Sequence, residues 1–192
     1  MSGALSSAKE VLARCRQLSR PLVIAIDGRC AAGKTTLAAA LQRETGCPVL
    51  HLDHFFLRPE QRTPQRLAQP GGNVDWERFL AEVLLPLEKG RPFSYRPYDC
   101  HTQSLAEPVS VLPAPLVVVE GSYSCHPALW EHYGLHVFLT ISPAEQLRRI
   151  RQRNGEAGLT AFRERWIPLE EAYFQAFSLP GRCELCLDME GR

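Results

Sequence analysis

No apolar run in these 192 residues approaches the roughly 20 positions that a bilayer-spanning helix needs. Charge of one sign is not in excess either: 22 lysines and arginines stand against 21 aspartates and glutamates. That balance argues against a general nucleic-acid surface, which carries a basic surplus, and leaves room for a local cationic site. Residues 1–20 lack an apolar stretch followed by a cleavage signal, so no secretory leader is expected and the chain reads as cytoplasmic. Internal repeats and a candidate linker are both missing, which points to one domain with a sizeable core.

Cysteine occurs, but not as a disulfide framework. Seven thiols (Cys15, Cys30, Cys47, Cys100, Cys125, Cys183 and Cys186) are odd in number and scattered, which suits a reducing compartment. Cys183-Glu184-Leu185-Cys186 is a CxxC without the second ligand pair that zinc requires, and the same spacing suits a short strand.

What the chain has is Gly28-Arg29-Cys30-Ala31-Ala32-Gly33-Lys34-Thr35, a complete G-x-x-x-x-G-K-[ST] phosphate loop. The glycines allow a tight turn whose N–H groups point inward at phosphate oxygens, Lys34 can reach the β- and γ-phosphates, and the Thr35 hydroxyl can ligate Mg²⁺. An apolar run over 22–26 leads into the loop. The Ala- and Leu-rich stretch after it predicts a helix whose N-terminus faces the anion. Gly28, Ala31, Ala32, Gly33, Lys34, Thr35 and Thr36 are therefore the expected nucleotide-binding residues, with ATP and Mg²⁺ as cofactors.

Other nucleotide-binding classes lose their support by absence. The guanine-reading N-K-x-D is missing, the one D-x-x-G stretch (188–191) lies at the far C-terminal end, and no ABC-type signature occurs. Small kinases remain.

Periodicity predicts a leading amphipathic helix over 6–18 and strands at 22–26, 49–52, 116–120, 135–140 and 183–187. The helix after the phosphate loop should stop near Gly46, and Asp75 should open another that closes around Gly90. Residues 58–72 read as a long loop, and 93–98 with 109–112 as a small antiparallel pair. Helices are expected over 143–153 and 161–177, with Pro168 kinking the latter or starting its second half. Strands alternating with helices imply an α/β fold with a mainly parallel sheet.

A kinase needs an acceptor base, a metal-side carboxylate and cations around the transferring phosphoryl group. Asp53 and Glu120 each end a strand, at the edge where ligands bind in open parallel sheets. Asp53 should face the γ-phosphate, and Glu120 with Thr35 should sit at Mg²⁺. Arg148, Arg149, Arg151 and Arg153 crowd one helix end, and Asn154-Gly155-Glu156-Ala157-Gly158 follows as a hinge, so a mobile lid over about 148–163 is expected. Within it Arg149 and Arg153 are the expected catalytic cations, beside Asp53 and Lys34.

The chain resembles the uridine kinase group of P-loop kinases, which also holds phosphoribulokinase and bacterial pantothenate kinase. The resemblance runs from about residue 22 to 187. It rests on Asp27-Gly28 through Thr36, Asp53-His54-Phe55-Phe56, Asn73-Val74-Asp75-Trp76, Tyr98-Asp99, the Val-Val-Val-Glu-Gly run ending at Gly121, and the arginine-rich lid. It implies a three-layer αβα P-loop NTPase fold with a five-stranded sheet, and Asp53 as the base that deprotonates the acceptor hydroxyl. It also implies that Glu120 helps to place Mg²⁺ and that Asp75, Tyr98 and His101 bind a nucleoside acceptor. By its own position Asp75 is equally an N-cap. In uridine kinases Tyr-Asp is followed three residues later by His, whereas here Tyr98-Asp99-Cys100 runs straight into His101. The acceptor is therefore open among a nucleoside such as uridine, pantothenate, nicotinamide riboside and a sugar phosphate. A non-catalytic nucleotide-binding module is the reading from another class. The expected partners are the nucleoside triphosphate and a small-molecule acceptor, without nucleic acid or membrane.

Overall fold

Alternation within three buried strands builds the core. The computed structural model describes residues 2–19 and 21–191; Met1, Arg20 and Arg192 lie outside them. In β1 (Leu22–Gly28), the side chains of Leu22, Ile24 and Ile26 share one face. Leu116 and Val118 of β7 (Leu116–Glu120) and Leu135, Val137 and Leu139 of β8 (Leu135–Thr140) join them there. That face is covered by α1 (Ser2–Cys15) and by α2 (Lys34–Thr45) through Ala8, Val11, Leu37, Ala38 and Leu41. The opposite face, with Ala25, Val117, Val119 and Phe138, packs against Phe79, Val83, Leu84, Tyr173 and Phe174. Each large buried side chain contributes about 1.5–3 kcal/mol. Strands covered on both faces read as unbroken apolar runs, which is why these three were visible in the sequence.

The sheet runs β2–β7–β1–β8–β9, with β2 at Val49–His51 and β9 at Leu185–Asp188, and every pairing in it is parallel. This is the expected α/β architecture of helix, sheet and helix layers. Cys183 and Cys186 belong to the last-strand region as free thiols. No helix among the described residues is long and apolar enough to cross a membrane.

Several boundaries differ from expectation. The leading helix starts earlier and ends at Cys15. The second strand stops at His51, because Leu52–Phe55 tightens into a 3₁₀ turn that carries Asp53. Residues 58–72 are not structureless: a 3₁₀ turn spans Pro59–Gln61, and α3 (Pro64–Leu67) is capped by the Thr63 hydroxyl accepting the Arg66 N–H. Arg66 then ties the segment down through Gly72 O, Val74 O and Glu77. The helix from Asp75 is α4 (Trp76–Phe79), a π-helical stretch (Leu80–Leu84) and α5 (Leu85–Glu88). The wider turn falls just before Pro86, which has no N–H to give.

The antiparallel pair forms as β3 (Phe93–Tyr95) with β6 (Val109–Val111). A second hairpin, β4 (Tyr98–Asp99) with β5 (Ser104–Leu105), sits inside it. Helix α6 runs on to Ala161 (Pro143–Ala161) and breaks at Gly155, whose φ of 69° and ψ of −177° are non-helical. After a π-helical turn (Phe162–Trp166), α7 (Ile167–Ala176) begins with Pro168 in its first turn, the position that tolerates it.

Asp27 knits these layers together at the end of β1. It is fully buried and accepts the Gly28 N–H at 2.7 Å, the Cys125 N–H at 2.9 Å and the Tyr173 hydroxyl at 2.9 Å. Burial pushes its carboxyl up to about 6, against the pull of Lys34 and of the two backbone donors. Gly28 follows with φ of 129°, and a Cβ there would lie 2.1 Å from Leu139 O on the neighbouring strand.

Gly28→Ala is therefore expected to destabilise the fold by about 3 kcal/mol or more, since the obstructing atom is sheet backbone that cannot swing aside. Urea denaturation reads this directly. For Asp27 the folded state binds the proton more tightly than the unfolded chain, so stability falls as pH rises from about 4 to about 6 and is level above that window. A shift of about two pKa units corresponds to at most about 3 kcal/mol. The fall attributable to Asp27 should be missing from Asp27→Asn when urea midpoints of both proteins are compared across the window.

Candidate active site

Parallel strands deliver their carboxyl ends to one edge, and here β1, β2 and β7 end beside one another. A cavity of about 610 Å³ opens over that edge, bounded by the phosphate loop, Asp53, Glu120 and side chains from residues 149–166. Lys34, Thr35, Asp53, Glu120, Arg149 and Arg153 all line it.

The phosphate loop is formed and closed on itself. Lys34 Nζ donates to Gly28 O at 2.7 Å and to Arg29 O at 3.2 Å, so the ammonium lies across the loop's own carbonyls. Ala31, with φ of 61°, and Gly33, with φ of 96°, give the turn its left-handed residues before α2 begins at Lys34. Ala32 is buried beneath the loop, and Gly33 and Thr36 join Ala31 on the cavity wall.

Thr35 Oγ1 lies 3.2 Å from each oxygen of the buried Glu120 carboxylate. A hydroxyl and a carboxylate converging in this way form a hard oxygen pair that suits Mg²⁺. No cluster of three or more His, Cys, Asp or Glu ligands gathers among the described residues. A cation held here would complete its shell from water and phosphate, as Mg²⁺ commonly does. His51, which carries no role in the sequence reading, places Nδ1 2.5 Å from Glu120 Oε1, and that contact raises its pKa. The imidazole holds the carboxylate from the β2 side.

Asp53 faces the cavity from the 3₁₀ turn after β2, and one oxygen accepts the Ser122 N–H at 3.3 Å. The protein wall around it raises its pKa by desolvation, with Glu120 adding to this and Lys34 opposing it. Gly121 makes the approach possible: a Cβ there would stand 2.8 Å from Asp53 Oδ1.

A second buried carboxylate, Glu170 on α7, accepts the Cys30 N–H at 2.9 Å and the Ser122 hydroxyl at 3.1 Å. It joins the phosphate loop to the turn that holds Asp53. Its neighbour Glu171 pairs with Arg29, and Gln146 donates to Cys30 O at 3.2 Å.

The lid arginines divide by partner. Arg149 and Arg153 line the cavity, whereas Arg148 pairs with Glu145 and Arg151 with Glu156, away from its wall. Arg149 is fixed by Glu145, by Met189 O at 2.9 Å and, at longer range, by Ala31 O. Arg153 lies over the Phe162 ring, and Arg165 and Trp166 add a cation and an aromatic wall.

The expected acceptor residues sit apart from this cavity. Asp75 is a buried N-cap: Oδ1 accepts the Arg78 N–H at 3.1 Å and Oδ2 accepts from Gln61 Nε2 at 2.6 Å. Tyr98 is buried and its hydroxyl accepts from Arg62 at 3.2 Å. His101 is an exposed turn residue whose N–H donates to Asp99. None of the three is on the cavity wall; Arg62, Asn73, Phe56, Cys100 and Tyr123 are. Sequence reasoning passed over Arg62, Ser122, Arg165 and Glu170, since no local pattern marks a residue whose partners lie on other elements.

No family model matches the chain. A dephospho-CoA kinase of Thermus thermophilus is 30% identical over 146 residues, covering 72% of this chain and 71% of that protein. The dephospho-CoA kinase of a second strain of the same species matches to the same extent. Among solved structures, a possible uridine kinase from Bacillus stearothermophilus superposes with a TM-score of 0.72 at 21% identity, covering 97% of this chain and 98% of that one. A candidate fructose transport system kinase from Silicibacter sp. TM1040 superposes with a TM-score of 0.70 at 24% identity, covering 96% and 98%. At those identities the structures speak for the fold, and the Thermus relatives carry the family. With a complete phosphate loop at the edge of a parallel sheet, the chain belongs to the P-loop kinases that phosphorylate small molecules, the family of these relatives, with the uridine kinase-like fold.

Proposed function

We propose that the protein transfers the γ-phosphoryl group of ATP to a hydroxyl group of a small molecule, with Asp53 as the base. The observation that carries this is the meeting of Asp53, the Thr35–Glu120 pair, Lys34 and two lid arginines in one cavity. Backbone N–H groups of residues 31–36 cradle the phosphates at the start of α2. Lys34 leaves the loop carbonyls for the β- and γ-oxygens. Thr35 and Glu120 are the residues that would hold Mg²⁺, which when bound neutralises phosphate charge. Arg149 and Arg153 steady the phosphoryl group in flight, where fixed guanidinium groups are worth most. Asp53 takes the hydroxyl proton late, and its raised pKa suits that task.

For the acceptor, the resemblance to uridine kinases points to a nucleoside, and the Thermus relatives point to dephospho-CoA. The engagement of Asp75 by Gln61 and Arg78, and of Tyr98 by Arg62, weighs against a nucleoside held as the resemblance implies.

The test is a Mg·ATP screen against uridine, dephospho-CoA, pantothenate, nicotinamide riboside and pentose phosphates, read by product mass. Asp53→Asn should lower kcat by about 10²- to 10⁴-fold while a non-hydrolysable ATP analogue binds as before. The acid limb of the wild-type kcat profile should lie above the ordinary carboxylate range, because the base must be ionised and burial raises its pKa. Unchanged turnover in Asp53→Asn would remove it as the base. Analogue binding without product from any acceptor would favour a nucleotide-binding regulatory module.

A further inference from the structure

We propose that the acceptor carries an anionic group, a carboxylate or a phosphate, and that Arg62 is the residue that binds it. This rests on the kinase reading above and goes further by naming the acceptor's charge.

Arg62 lies on the cavity wall with Asn73, Phe56 and Cys100, none of which belongs to the phosphate loop. Its guanidinium is not loose: Nε donates to Leu57 O at 3.0 Å and Nη2 to the Tyr98 hydroxyl at 3.2 Å. Leu57 and Tyr98 are both buried, so the fork is held in a fixed direction from behind. Both partners are neutral, and no carboxylate pairs with Arg62 among the described residues. Three other arginines of the 58–78 segment are neutralised, Arg58 by Glu60, Arg66 by Glu77 and Arg78 by Asp75 and Glu82, whereas Arg153 and Arg165, which have no carboxylate partner among the described residues either, reach the cavity from residues 149–166.

Arg62 and Asp53 line the same cavity. The Cys100 thiol, which burial raises in pKa, lies within electrostatic reach of Arg62 and of Asp53 together. A pre-oriented guanidinium with donors to spare is matched to two oxygens of a carboxylate or phosphate. Arg62 is itself solvent-exposed, so an anionic group on the acceptor would supply the counterion that the protein does not, whereas a neutral acceptor would leave the guanidinium to water.

The test has two arms. In the first, a non-hydrolysable ATP analogue with Mg²⁺ fills the phosphate loop, and inorganic phosphate or acetate is titrated against wild type, Arg62→Gln and Arg62→Lys by calorimetry. Anion binding that is at least tenfold weaker in Arg62→Gln, and partly retained in Arg62→Lys, is expected. The stronger of the two anions tells a phosphate site from a carboxylate site. Equal binding in wild type and Arg62→Gln, or no anion binding in wild type, overturns the proposal whether or not any acceptor is turned over.

In the second arm, acceptors with and without the anionic group are compared, pantothenate with panthenol and ribulose 5-phosphate with ribulose, with the phosphorylated hydroxyl identified in each product. The charged member of the productive pair should have at least tenfold higher kcat/KM, and Arg62→Gln should raise its KM tenfold with kcat within about twofold. A neutral member used equally well overturns the anionic acceptor while leaving the kinase reading intact. Loss of transfer to every acceptor with anion binding preserved would instead count against the kinase reading.

Discussion

Parallel pairing of β1 with β7 on one side and β8 on the other is the constraint on which the rest depends. The register sets Ile26 beside Glu120 and Gly28 beside Leu139, so the phosphate loop leaves the sheet at the level where the Glu120 carboxylate enters the cavity. Beside them β2 pairs His51 with Glu120, and the chain then turns to present Asp53. Parallel strands all finish at the same edge, so one topological choice assembles three functional groups from distant parts of the chain. Gly28 enforces it sterically, since any side chain there would enter the backbone of β8.

Buried carboxylates hold the rim of this edge in place. Asp27 takes three donors from β1, the loop after β7 and α7, while Glu170 takes the phosphate-loop N–H of Cys30 and the hydroxyl of Ser122. Burying a charge is costly unless its oxygens are filled, and here each is filled by groups from separate elements. The result is a phosphate loop and a loop after β7, whose Ser122 N–H reaches Asp53, both tied to a common helix, α7. The break at Gly155 lies between the arginine-bearing part of α6 and that anchor.

Cations are graded across the cavity. Lys34 comes from the phosphate loop, Arg149 and Arg153 from α6, and Arg62 from the segment that follows the Asp53 turn. Arg149 is restrained by Glu145, whose own carboxyl is held down to about 2 by Arg148 and Arg149. Arg62 is restrained by neutral groups. Lys34 and Arg153 likewise have neutral partners, so among the described residues three of these four cations bring an unpaired charge to the cavity.

Features that depend on local backbone were legible in the amino-acid order. A phosphate loop is a run of eight consecutive residues whose turn and helix N-terminus are decided within the run, and apolar runs buried on both faces announce their strands. Glu120 was legible as the polar residue that ends such a run, whereas Asp53 lies two residues past its edge strand, in a turn that the sequence did not show. Contacts between residues far apart in the chain came only with folding. His51 meets Glu120 across 69 positions, Glu170 meets Cys30 across 140, and Arg62 meets Tyr98 across 36. Asp75 illustrates the boundary well. Its pattern allowed either a helix cap or a ligand contact, and packing against Gln61 occupied the oxygen that the cap had left free. Helix caps and turns are short-range choices, whereas a hydrogen bond between distant elements exists only after the sheet has brought them together.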